Sequence, residues 1–141
     1  MLKTARNPLL ICTTDRASYK RLITVGKALS DVQKRPLNVL SVQPKALVSP
    51  GTAESIQILH NIALGVGADV TVLFSDAPVL SFAVHAKQID ASEVVVDERE
   101  MNENTSLYAL RDLLADIPLT VLENSGQFHT MPPLYEKHTV P

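Results

Sequence analysis

A chain of 141 residues is the size of one domain, and its single cysteine, Cys12, excludes an internal disulfide framework and a multi-cysteine zinc site. The net charge of −2 hides an uneven distribution, +7 over residues 1–50 and −9 over residues 51–141. No apolar run approaches the roughly 18 residues of a membrane span. PLLIC, the apolar stretch after Lys3 and Arg6, is too short for a signal-peptide core, so the expectation is a cytoplasmic protein without a membrane partner.

Residues 9–12 (LLIC) read as a buried strand. Tyr19, Leu22, Ile23, Gly26 and Leu29 then recur at helical spacing, up to the breaker Pro36. Arg16, Lys20, Lys27 and Lys34 line another side of that helix. With six aromatics in the whole chain and only Tyr19 nearby, this stripe reads as a solvated face, and nucleic acid is not an expected partner. Residues 37–42 (LNVLSV) form the second strand and 52–67 the second helix, capped by Thr52 and closed near Gly67.

Residues 69–74 are the third strand. Ser75 or Asp76 is placed to cap the third helix, with Pro78 suited to its first turn. APVLSFAVHAKQI carries one formal charge, Lys87, and an almost wholly apolar helix is buried or sits at a subunit interface. The fourth strand is 94–96 (VVV), the fourth helix 106–117 and the fifth strand 119–122 (LTVL), whose open edge is another candidate seam. The domain is expected over residues 1–124. Residues 125–141 have three prolines and no period, and are expected to form an irregular tail.

Strands alternating with helices predict an α/β domain with a five-stranded, doubly wound parallel sheet in the order 3-2-1-4-5. Such sheets bind ligands at the carboxyl ends of the strands where the order reverses, here between the first and fourth strands. The two loops at that crevice are TTDRAS, 13–18, and DEREMNENTS, 97–106.

VGADVTVL, SFAVHAKQIDASEVVVD and IPLTVL, read together, resemble the universal stress protein family over residues 8–123. The resemblance implies a five-stranded α/β domain, usually dimeric. In many members ATP lies in that crevice, and related domains bind cyclic di-adenylate. It also implies that Asp15 and Val42 correspond to positions that touch adenine.

ATP-binding members carry a glycine-rich phosphate loop after the fourth strand. Aligned on that pattern, Asp97 and Glu100 stand at its first two glycines, Thr105 at the third and Ser106 at its hydroxyl position. Seven residues separate Asp97 from Thr105, against about twelve in the family pattern, and none of the five glycines lies between residues 68 and 125. A phosphate cradle needs bare, inward-turned amides, and carboxylates there add like-charge repulsion. The expectation is therefore a non-enzymatic regulatory domain without a cofactor or metal. It would act as a homodimer and sense a small adenine-containing ligand through Thr13, Thr14, Asp15, Val42, Asp97, Thr105 and Ser106.

For Thr14 and Asp15 the competing reading is a cap on the first helix. The alternative function is an adenine-nucleotide-binding, weakly ATP-hydrolysing member with an atypical loop, in which Asp97, Glu98 and Glu100 hold Mg2+ beneath ATP. Catalytic patterns are thin: Cys12 has no spaced histidine partner, and no serine sits between glycines.

Overall fold

The computed structural model describes residues 7–47, 50–102 and 106–135. Its strands are β1 (Leu9–Thr13), β2 (Leu37–Gln43), β3 (Asp69–Phe74), β4 (Glu93–Asp97), β5 (Leu119–Leu122) and β6 (Phe128–Met131). The helices between them are α1 (Tyr19–Gln33), α2 (Pro50–Gly65), α3 (Pro78–Gln88) and α4 (Leu107–Leu114).

All strands join one sheet in the order β3-β2-β1-β4-β5-β6. The first five are parallel, and the order 3-2-1-4-5 stands as the sequence implies. Every residue of β1, β4 and β5 is buried, as expected for strands covered on both faces. One core cluster joins Leu9, Ile11, Val39 and Val95 to Tyr19, Leu22, Ile23 and Leu59 of α1 and α2. The opposite cluster joins Leu10, Leu40, Val94 and Val96 to Phe82, Ala86, Leu110 and Leu114 of α3 and α4. Helix α1 can lie this close to the sheet because position 26 has no side chain: a Cβ there would stand 2.4 Å from Ile11 Cδ1.

The sheet has six strands rather than five, and the tail is not irregular from residue 125. Residues 123–127 make a tight turn in which Gly126 adopts φ +92°, a conformation glycine reaches without strain. The amide of Glu123 donates to Gln127 O at 2.7 Å, and β6 then pairs antiparallel with β5 from Leu122↔Phe128 to Leu119↔Met131. The buried Thr120 hydroxyl reinforces the pairing. Thr120 donates to the Glu93 carboxylate and stands 2.7 Å from Thr130 Oγ1, while Gln33 Nε2 donates to the other Glu93 oxygen at 3.0 Å. Strand β5 therefore has no open edge, which removes it as the expected seam.

The helix starts also differ from expectation. Helix α2 begins at Pro50, so Thr52 lies inside it and is not its cap. Ala77 is the N-cap of α3, with Pro78 in the first turn as expected. Ser75 Oγ instead accepts from the Ala77 amide at 3.1 Å, and Asp76 accepts from the Lys45 amide at 3.1 Å. On α3, Phe82, Ala83 and Ala86 are buried, while Leu80 and Val84 remain exposed. Among the described residues no helix is long and apolar enough to cross a membrane.

Candidate functional site

The reversal of strand order brings the end of β1 and the end of β4 to one rim. Each strand runs into a short 3-10 turn capped by an aspartate. Asp15 Oδ1 accepts from the Ala17 amide at 2.9 Å, and Asp97 Oδ1 accepts from the Arg99 amide at 2.8 Å. Both carboxylates satisfy amides that would otherwise lack a partner. Asp15 is exposed and caps its own 3-10 turn rather than α1 itself, whose N-cap is Ser18.

Asp97, aligned with the family's first glycine, is wholly buried and faces α1. Arg21 grips it twice, Nε to Oδ2 at 2.6 Å and Nη2 to Oδ1 at 3.0 Å, and Arg21 Nη2 also donates to Glu123 O at 2.7 Å. Burial pushes the Asp97 pKa up. The bonds from Arg21 and the Arg99 amide outweigh that penalty and hold it below the ordinary carboxylate range. This fork ties β4, α1 and the β5–β6 turn together.

Glu100 points the other way. Its carboxylate is 6% exposed and bridges to the first loop: Thr13 Oγ1 donates to Oε2 at 2.5 Å, and the Thr14 amide donates to Oε1 at 2.6 Å. Thr14 Oγ1 donates to Oε1 as well, at 3.1 Å. Burial raises the Glu100 pKa despite these bonds, and among the described residues no cation pairs with it in the manner of Arg21. Burial also lifts the neighbouring Cys12 thiol, and the Glu100 charge adds to the effect, so Cys12 is a poor nucleophile.

Beside this bridge lies a cleft of about 260 Å³ over the ends of β1, β2 and β3, lined by Thr14, Val42, Pro44, Ser75, Asp76, Pro78 and Asn102. It falls a little below the roughly 300 Å³ lower end of small-molecule sites. Of the sequence candidates, Thr14 and Val42 line the cleft. Thr13 is buried behind it on Glu100, and Asp97 is turned to α1. Ser106 caps α4, accepting from the Ala109 amide at 3.3 Å. Thr105 lies outside the described residues. A larger cleft of about 410 Å³ runs along α1 against Leu122 and Gly126, and none of the candidates lines it.

Among the described residues, the turn after β4 is built of residues that carry side chains rather than of glycine. Residues 98–100 form a helical turn carrying three long side chains, and the nearest convergent donors, on Thr13 and Thr14, are already held by Glu100. Nor do the three acids converge on a cation. Asp97 goes to Arg21, Glu100 to the threonines, and Glu98 Oε2 accepts from the Asn124 amide at 3.0 Å. Among the described residues no group of three acid, histidine or cysteine side chains is placed to share a metal ion.

The expected ligand contacts omitted Glu100, named only as an Mg2+ ligand of the alternative, and Asp76, named only as a helix cap. Position 100 had a usable signal, an acid where the aligned family pattern has a bare glycine.

No protein-family model matches the chain, and no curated protein matches it by sequence. Solved structures match by fold. A universal stress protein from Archaeoglobus fulgidus in complex with dAMP superposes with a TM-score of 0.59 at 15% identity, covering 85% of this chain and 98% of that one. A universal stress protein in complex with cAMP gives 0.58 at 13% identity, covering 85% and 98%. The 4-carboxy-2-hydroxymuconate hydratase of Pseudomonas putida KT2440 gives 0.58 at 12% identity, covering 82% of this chain and 65% of the hydratase. The chain has the fold of these universal stress proteins, in a six-stranded sheet whose last strand, β6, is antiparallel to its neighbour.

Proposed function

We propose that this chain is a regulatory, non-catalytic domain of the universal stress type that senses a small adenine-containing ligand lacking a triphosphate. The ligand would lie in the cleft beside Thr14 and Val42. The observation that carries this is the Glu100 carboxylate seated on the Thr13 and Thr14 donors, beside the cleft and behind its wall residue Thr14. The two superposable proteins bound to dAMP and cAMP support the choice of an adenine ligand. The hydratase match supports no catalytic role here, since at that identity it bears on fold alone.

We also infer a homodimer. Leu73 and Phe74 at the sheet edge and Leu80 and Val84 on α3 are apolar side chains exposed in the single chain, and burial against a second copy would remove them from water. Sedimentation at micromolar concentration measures the subunit number.

A thermal-melt panel with adenosine, AMP, cyclic di-adenylate and ATP, each with and without Mg2+, tests the ligand class. A ligand at a hundred times its dissociation constant stabilises by about 2.7 kcal/mol, roughly 10 °C for a domain of this size. The expected pattern is a shift with at least one ligand lacking a triphosphate and none with ATP. A shift with Mg-ATP that exceeds every other ligand's would overturn the proposal.

A further inference from the structure

We propose that Glu100 sets the charge of the ligand: its carboxylate occupies the subsite for an acidic group beside the cleft and restricts the site to uncharged, adenosine-like molecules. This rests on the adenine reading above and adds to it the basis of selectivity.

Two hydroxyls and one main-chain amide converge on the Glu100 oxygens at 2.5–3.1 Å. That is the donor set a phosphate or carboxylate oxygen requires. The donors belong to the β1 loop, and Thr14 is also a wall of the cleft, so the same residue faces both the ligand space and the internal anion. Glu100 is brought there by its own backbone. The Asp97 cap on the Arg99 amide and the Met101 amide on Glu98 O, at 3.0 Å, fix the turn that delivers it.

A second carboxylate, Asp76, lines the cleft from the β3 side. A ligand phosphate would therefore meet donors already engaged and negative charge from two directions, whereas a nucleoside would meet neither penalty.

The test is titration calorimetry of adenosine and AMP into the wild-type protein, Glu100→Ala and Glu100→Gln, with inorganic phosphate binding followed by phosphorus NMR. The wild type is expected to prefer adenosine over AMP at least tenfold. Glu100→Ala is expected to raise AMP affinity at least tenfold, to change adenosine affinity less than threefold and to acquire phosphate binding. Glu100→Gln keeps the side-chain volume and an acceptor while removing the charge, so it carries the comparison if circular dichroism shows Glu100→Ala unfolded.

An AMP-to-adenosine ratio equal in wild type and folded variant overturns the proposal. If no protein binds adenosine, the adenine reading fails and the phosphate arm decides for Glu100 alone: phosphate bound only by the variants supports it, and phosphate bound by none, or equally by all, overturns it.

Discussion

Asp97 and Glu100 are three residues apart, both buried, and opposite in every other respect. Asp97 faces α1 and is neutralised by a forked arginine, whereas Glu100 faces the crevice with two hydroxyls and an amide but, among the described residues, no cation. The pKa directions follow: Asp97 lies below the ordinary range and Glu100 above it. A buried charge with a charged partner holds a fold together. One held only by neutral donors keeps its cost, and such residual cost is common where a site recognises something.

The largest expected effect is on the Asp97 side. Arg21→Met would take from the buried Asp97 its two-point partner, leaving the Arg99 amide and a looser 3.5 Å contact with the Arg99 side chain, and should lower stability by about 3 kcal/mol in urea unfolding at neutral pH. A loss below about 1 kcal/mol would mean that water reaches Asp97 and that the fork is not structural. The pH dependence has a definite sign. Asp97 contributes stability above its ordinary value of 3.8 that is lost as the pH falls through its lower folded value, and Arg21→Met should reduce that acid-side loss.

A smaller effect of opposite sign is expected at Glu100. Because its folded value is raised, the wild type loses stability as the pH climbs from the ordinary 4.5 through that value. Glu100→Gln should therefore be more stable than the wild type at pH 7, and the two should converge at acid pH. Urea midpoints measured across pH 4–8 check this, and a variant less stable at pH 7 would contradict it.

Much of the fold was legible because its parallel strands are short unbroken apolar runs such as VVV at 94–96, separated by helical periods. Strand β6 was not, since Phe128, His129 and Thr130 are exposed and its pairing comes from β5 rather than from a buried face. The turn was nonetheless written there: ENSGQ between LTVL and FHTM is a five-residue, glycine-containing hairpin connection.

At the site, strand order brings the ends of β1 and β4 together as expected, but the cleft that Thr14 and Val42 line lies beside that meeting, over the ends of β1, β2 and β3. Glu100's role was hidden because a glutamate in an acidic run ordinarily faces water. What buries this one is Thr13, 87 positions earlier in the chain. Asp97 aligns with a ligand-binding glycine, yet what engages it is Arg21 of α1, 76 positions earlier in the chain.

The most direct test of the account is amide NMR of the wild-type protein titrated in parallel with adenosine and with Mg-ATP. Adenosine is predicted to shift the amides of Thr14, Val42 and Asp76, while Mg-ATP at the same concentration leaves Glu98, Arg99, Glu100 and Ser106 where they were. Saturable movement of those four amides with Mg-ATP would show phosphates seated at the end of β4, and would contradict the claim that Glu100 already fills that place.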